Sequence, residues 1–211
     1  MDKRIVAKAW SVLASRVTYR DQWISVRTDD AVDGRGELVR NYHVLEYPDW
    51  VNVAPVLDDG RLLLAREYRH GVGAIVLGLI GGEVAEVDGA LAEAAARREL
   101  LEETGYSAAS LTPILTCYPN AATHTNRVLS FVAQGLESQR APSFEIGEEV
   151  ELAAAAPGDL LAAVQAGRII MQAPHLAALY AGFYGGLFTL AHSHNAVIER
   201  GRLWPDALEG V

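Results

Sequence analysis

A chain of 211 residues, 50% hydrophobic and 21% charged, has ample material for a buried core and fits one catalytic domain with a small attachment. Its net charge of -9, from 27 acidic against 18 basic residues, argues against a nucleic-acid binder, which would carry a basic stripe, and points to a small ligand or a protein partner. The single cysteine, Cys117, excludes an intrachain disulfide and a Cys-based zinc site, and a lone thiol fits a reducing cytoplasm. The first residues lack the apolar run of a signal peptide, and the apolar stretch 176–190 is too short and too interrupted by glycine to span a membrane.

In chain order, residues 9–17, 23–28 and 38–47 carry the β-branched and aromatic residues of short strands, separated by turn-rich segments. Such a meander exposes much apolar surface for its size and is expected to cover something, either the main domain or a second subunit. Strands follow over 50–57 and 61–69, joined by the Asp58-Asp59-Gly60 turn, and a third apolar strand over 70–82 ends at Gly81-Gly82. The period then becomes helical over 89–104, rich in Ala, Leu, Glu and Arg, and Gly105 is placed to stop the helix. Strands are expected over 111–116 and 128–136 and near 147–156, then a helix started by Pro157 and running to about 165, and a last helix over 174–184. The sum is an α+β protein with helices flanking a β-rich core. Its expected domains are 1–47, 48–190 and a tail of 191–211.

The chemistry concentrates in RRELLEETG. Glu99, Glu102 and Glu103 stand at i, i+3 and i+4, so one helical face presents three carboxylates. Glutamate-rich faces commonly lie in solvent, but oxygen donors gathered this way also suit Mg²⁺, with Mn²⁺ as a substitute, when substrate phosphates complete the shell. The double glycine before the helix and the single glycine after it form a cassette that lets a phosphate approach the backbone closely.

The segment from Gly82 through Tyr106 resembles the signature of the Nudix hydrolases, which cleave nucleoside diphosphates linked to another moiety; its helical half, Arg98 to Tyr106, matches every defining position. The resemblance implies that Glu99, Glu102 and Glu103 ligate metal and that Arg98 makes an internal ion pair tying loop to helix. Two positions depart from the pattern. Ala90 stands where the family has a glutamate, and Val84 where it has the leading glycine, so Glu86 or Glu93 is expected to replace the usual partner of Arg98.

The regions flanking this segment resemble the ADP-ribose and nucleotide-sugar pyrophosphatase branch. This implies an α/β/α sandwich with a mixed β-sheet, preceded by a small N-terminal antiparallel β-domain, and a homodimer. Trp23 and Trp50 are the aromatics preferred for base binding, with packing as the alternative. Arg66 and Arg69, read as sharing a strand face, resemble diphosphate or sugar contacts; either is equally an ordinary surface arginine. In the loop 116–127, His124, Asn126 and Arg127 form a polar group that serves a turn or reads the distal sugar. Glu145, Glu148 and Glu149 are the candidate general bases, Glu149 being preferred over Glu148 because it adjoins the hydrophobic start of a strand. The expected activity is metal-dependent hydrolysis of ADP-ribose or a nucleoside diphosphate sugar, with Gly82 shaping the site. The alternatives are a dinucleoside polyphosphate substrate or a binding module that does not cleave.

Overall fold

The computed structural model describes residues 7–85, 91–144, 147 and 149–190. Ala90, Glu86, Glu145, Glu148 and the tail 191–211 lie outside the described residues. The chain divides into two compact units: Met1–Pro48 with Tyr118–Asn126, and Asp49–Cys117 with Arg127–Val211.

In the first unit, β1 (Ser11–Arg20), β2 (Ser25–Val32) and β3 (Leu38–Glu46) form an antiparallel sheet in that order. Every residue of β1 is exposed, including Val12, Leu13 and Val17, whereas β2 buries Thr28, Asp29 and Ala31. The loop 118–126 joins this unit through hydrogen bonds from Leu45 N–H to the Thr123 carbonyl (2.7 Å) and from Thr125 N–H to the Leu45 carbonyl (3.1 Å). Nothing in the sequence announces that pairing, because the loop has no strand periodicity.

The second unit is the sandwich. One sheet has the order β4 (Trp50–Pro55), β8 (Val128–Ser138), β7 (Tyr106–Cys117), with β4 and β8 parallel and β7 antiparallel to β8. The other has the order β6 (Ala74–Gly78), β5 (Leu62–Arg69), β9 (Val150–Ala155), all antiparallel. Single bridges from Val53 to Ile80, Trp50 to Glu83 and Val56 to Leu62 link β4 to the second group. Strand alternation sends neighbouring residues to opposite faces. Val51, Val53, Phe131 and Ala133 pack with Ala95, Ala96 and Leu100 of helix α1 (Ala92–Thr104). Ala54, Leu62, Leu64 and Val132 pack with Leu160 and Leu161 of α2 (Pro157–Gln165) and Ala178 and Leu179 of α3 (Ala173–Tyr184).

Two strand expectations need correction. The strand expected over 70–82 is confined to Ala74–Gly78, because Gly73 N–H turns back to the carbonyls of Arg69 and His70. The strand expected over 111–116 runs over twelve residues, through Pro113, where a register shift absorbs the missing N–H. Among the described residues no helix is long and apolar enough to cross a membrane.

Candidate active site

Helix α1 holds the acids in place by burying its other face, where Ala95, Ala96 and Leu100 are sealed in the core. Its end is fixed by Gly105, whose φ of 76° is left-handed and whose N–H donates to the Leu101 carbonyl (2.9 Å). A side chain there would run into the Arg140 carbonyl oxygen.

Three carboxylates on one face repel each other, and Arg98 offsets part of that repulsion. Its Nη1 donates to Glu99 Oε1 and Glu102 Oε2, both at 2.9 Å, and its Nη2 donates to the Glu83 carbonyl at 2.9 Å. Arg98 therefore ties helix to loop through a backbone carbonyl and through the acids themselves. Glu93, the suggested replacement partner, binds Arg97 instead (2.9 Å), one turn along the helix.

The glycine pair closes the other side. A Cβ on Gly82 would overlap Glu99 Oε1, so only glycine lets the loop lie flat against that carboxylate. A Cβ on Gly81 would collide with the Val51 carbonyl oxygen, and Val51 N–H donates to the Gly82 carbonyl (2.9 Å). Glu99 is in consequence nearly buried, with a side chain 11% exposed, whereas Glu102 stays open at 39% and Glu103 is half-buried.

Two paths lead from these acids to cavities. Glu83, bonded by Arg98, is bridged to Trp50, which lines a cavity of about 780 Å³ together with Arg69, Val72, Arg168 and Met171. On the other side, Ser143 N–H donates to the Glu102 carbonyl (2.8 Å), and the next residue, Phe144, lines a cavity of about 450 Å³ with Arg66, Glu67, Glu149 and Glu151. Arg66 and Arg69 thus line different cavities, contrary to the shared face expected from the sequence. Their separation of three residues puts alternating side chains on opposite sides of β5.

The remaining candidates are held as follows. Arg66 pairs with Glu151 across β5 and β9 (2.5 Å), and Arg69 pairs with Glu67 (2.5 Å). Arg127 binds Asp49 by its backbone N–H (2.7 Å) and guanidinium (2.5 Å). Burial alone would raise the Asp49 pKa, but these hydrogen bonds and the Arg127 charge outweigh it and hold the carboxyl below its usual range. Trp23 and His124 belong to the first unit. Trp23 is 75% exposed in the β1–β2 turn, and His124 packs on Tyr47 at 5.3 Å. Asn126 is buried.

Sequence reasoning passed over His175. It is buried at the start of α3, where its Nδ1 accepts the Leu79 N–H (3.1 Å) and fills the space a side chain at Gly78 would need. Burial, and secondarily the Arg69 charge, push its pKa down to about 4. Its only sequence signal was a histidine in an otherwise apolar helix opposite an unexplained glycine.

Carboxylates alone make a donor set for a hard divalent cation. Among the described residues no three acidic, histidine or cysteine side chains form a ready-made metal cage.

Comparison with known proteins identifies the family and the fold. A curated ADP-ribose pyrophosphatase of Bacillus subtilis (strain 168) is 30% identical over 93 residues, 44% of this chain and 49% of the relative, so the match spans about half the length of that protein. A solved structure described as an ADP compounds hydrolase superposes with a TM-score of 0.72 at 24% identity, over 86% of this chain and 98% of that one, and this shows the fold. The NUDIX domain model matches residues 46–169, from the end of β3 through α2, and the chain belongs to that family.

Proposed function

We propose that this protein hydrolyses the pyrophosphate bond of ADP-ribose or a related nucleoside diphosphate sugar, giving a nucleoside monophosphate and a sugar phosphate. The observation that carries the reading is the three-carboxylate face of α1, backed by Gly82 and bracketed by Arg98, within the region matched by the family model. The name of the Bacillus relative supports the choice of substrate.

In this reading Glu99, Glu102 and Glu103 hold Mg²⁺, or Mn²⁺ in its place, and a metal so held neutralises phosphate oxygens and lowers the pKa of an attacking water. Arg98 keeps Glu99 and Glu102 oriented and limits their mutual repulsion. Gly82 lets the loop backbone lie against the Glu99 carboxylate and seat it. Glu149, exposed where β9 begins, takes the proton of the water as it adds to phosphorus, and the bridging oxygen leaves with the second phosphate. Trp50 and Arg69 hold the organic part of the substrate in the larger cavity. The exposed apolar residues of β1 support a homodimer, which light scattering would detect as twice the chain mass. The lone Cys117 is compatible with residence in the cytoplasm.

The test is product analysis with Mg²⁺ on ADP-ribose, ADP-glucose, GDP-mannose, UDP-glucose and diadenosine polyphosphates, beside Glu103→Gln. Metal-dependent cleavage of one group, reduced on the order of 10³-fold in the variant at unchanged melting temperature, is expected. Binding without cleavage of any of them would favour the second reading, a sensor module. That reading draws on the Arg98 guanidinium, which already occupies oxygens of Glu99 and Glu102.

A further inference from the structure

In a chain of net charge -9, the cavity at Trp50 is lined, among the described residues, by two arginines and a histidine and by no aspartate or glutamate. The cations differ in how they are held. Arg69 is tied to Glu67 at 2.5 Å, whereas the Arg168 side chain is exposed and has no hydrogen-bond or ion-pair partner among the described residues. Arg168 is nonetheless well placed: the turn ending α2 fixes its backbone, whose N–H donates to the Ala163 carbonyl at 2.9 Å. Around it the wall is apolar, with Val72, Ile75 and Ile170 all more than half exposed. At about 780 Å³ the space suits a nucleotide-sized ligand.

In the proposed reading the diphosphate lies at the acid face of α1, while Arg69, tied to Glu67, lines the cavity that takes the organic part. Arg168 stands on a different element, the α2–α3 connection, beside apolar surface fit for a base. We propose that this cavity binds the nucleoside half of the substrate and that Arg168 reads a further phosphomonoester on its ribose, making the 2′-phosphorylated compound the preferred ligand. Guanidinium suits this task because its planar fork binds phosphate through two parallel hydrogen bonds. The inference rests on the hydrolase reading for its choice of ligand, but its binding test does not require hydrolysis.

Calorimetry without metal on the full chain compares adenosine 2′,5′-bisphosphate with 5′-AMP. The expected result is about tenfold tighter binding of the bisphosphate, a preference lost in Arg168→Gln and weakened in Arg168→Lys, with the affinity for 5′-AMP unchanged in both. Equal affinity for the two ligands in the unaltered protein overturns the proposal. So does a preference that survives Arg168→Gln, or a variant in which both ligands weaken equally, since Arg168 would then be reading the 5′-phosphate. With Mg²⁺, the 2′-phosphate of ADP-ribose should be cleaved with about tenfold higher kcat/KM than ADP-ribose. Retained binding preference without any cleavage would remove the hydrolase reading and leave the subsite standing.

Discussion

The two cavities beside the β5–β6 hairpin share Ile75 yet differ in charge. The smaller holds Glu67, Glu149 and Glu151 against one arginine, and the larger holds Arg69, His70 and Arg168 with no acid among the described residues. One hairpin serves both because residues 66–68 of β5 line the smaller cavity, while Arg69, the turn and Ala74 to Val76 of β6 line the larger. The difference suggests a division of labour in which the acidic side handles the proton and the cationic side the anion.

The largest effect expected from that division is on the acidic side. Glu149→Gln should lower kcat by about 10²- to 10⁴-fold with KM little changed; a change confined to KM would place Glu149 among binding groups and end the comparison. Next comes the buried His175, which faces the Arg69 charge while neutral. Its folded pKa lies at about 4, below the ordinary 6.5, so the unfolded chain takes up a proton that the fold refuses. The stability it allows is fully present above pH 6.5 and is lost as the pH falls towards 4, on the order of 3 kcal/mol. Urea midpoints across this range, set beside those of His175→Gln, measure it; parallel profiles would show that His175 does not control the slope.

Gly82→Ala tests the seat of Glu99. Its Cβ would displace the Glu99 carboxylate, with a stability loss of about 1–3 kcal/mol and a larger fall in activity. Normal activity would mean that Glu99 has room the packing does not show. Trp50→Ala should raise KM by about tenfold or more, in keeping with roughly 1–3 kcal/mol for a stacked base, and leave kcat nearly intact. The smallest effect is expected from Glu151→Gln, which breaks an exposed pair with Arg66 of at most about 1 kcal/mol. If it matched Glu149→Gln in kcat, the base would have been assigned to the wrong glutamate of that cavity.

What could be read from the sequence was local. Pro157 marked the start of α2, Gly105 the end of α1, and the i, i+3, i+4 spacing put three acids on one face. The pairings that cross the chain were not legible. Arg127 is spoken for by Asp49, 78 residues away, and His175 reaches Leu79 across 96 residues; neither contact leaves a periodic trace. Arg66 and Arg69 are a different case, for their odd spacing already placed them on opposite sides of a strand.

The excursion of residues 118–126 into the N-terminal unit bears on how the chain is made. Leu45 cannot complete its hydrogen bonds with Thr123 and Thr125 until the ribosome has delivered a further eighty residues, so the first sheet to emerge is finished only after most of the sandwich sheet has followed it. During that interval the edge of β3 at Leu45 is open to other chains, and a truncation that keeps only the first 48 residues would leave it so.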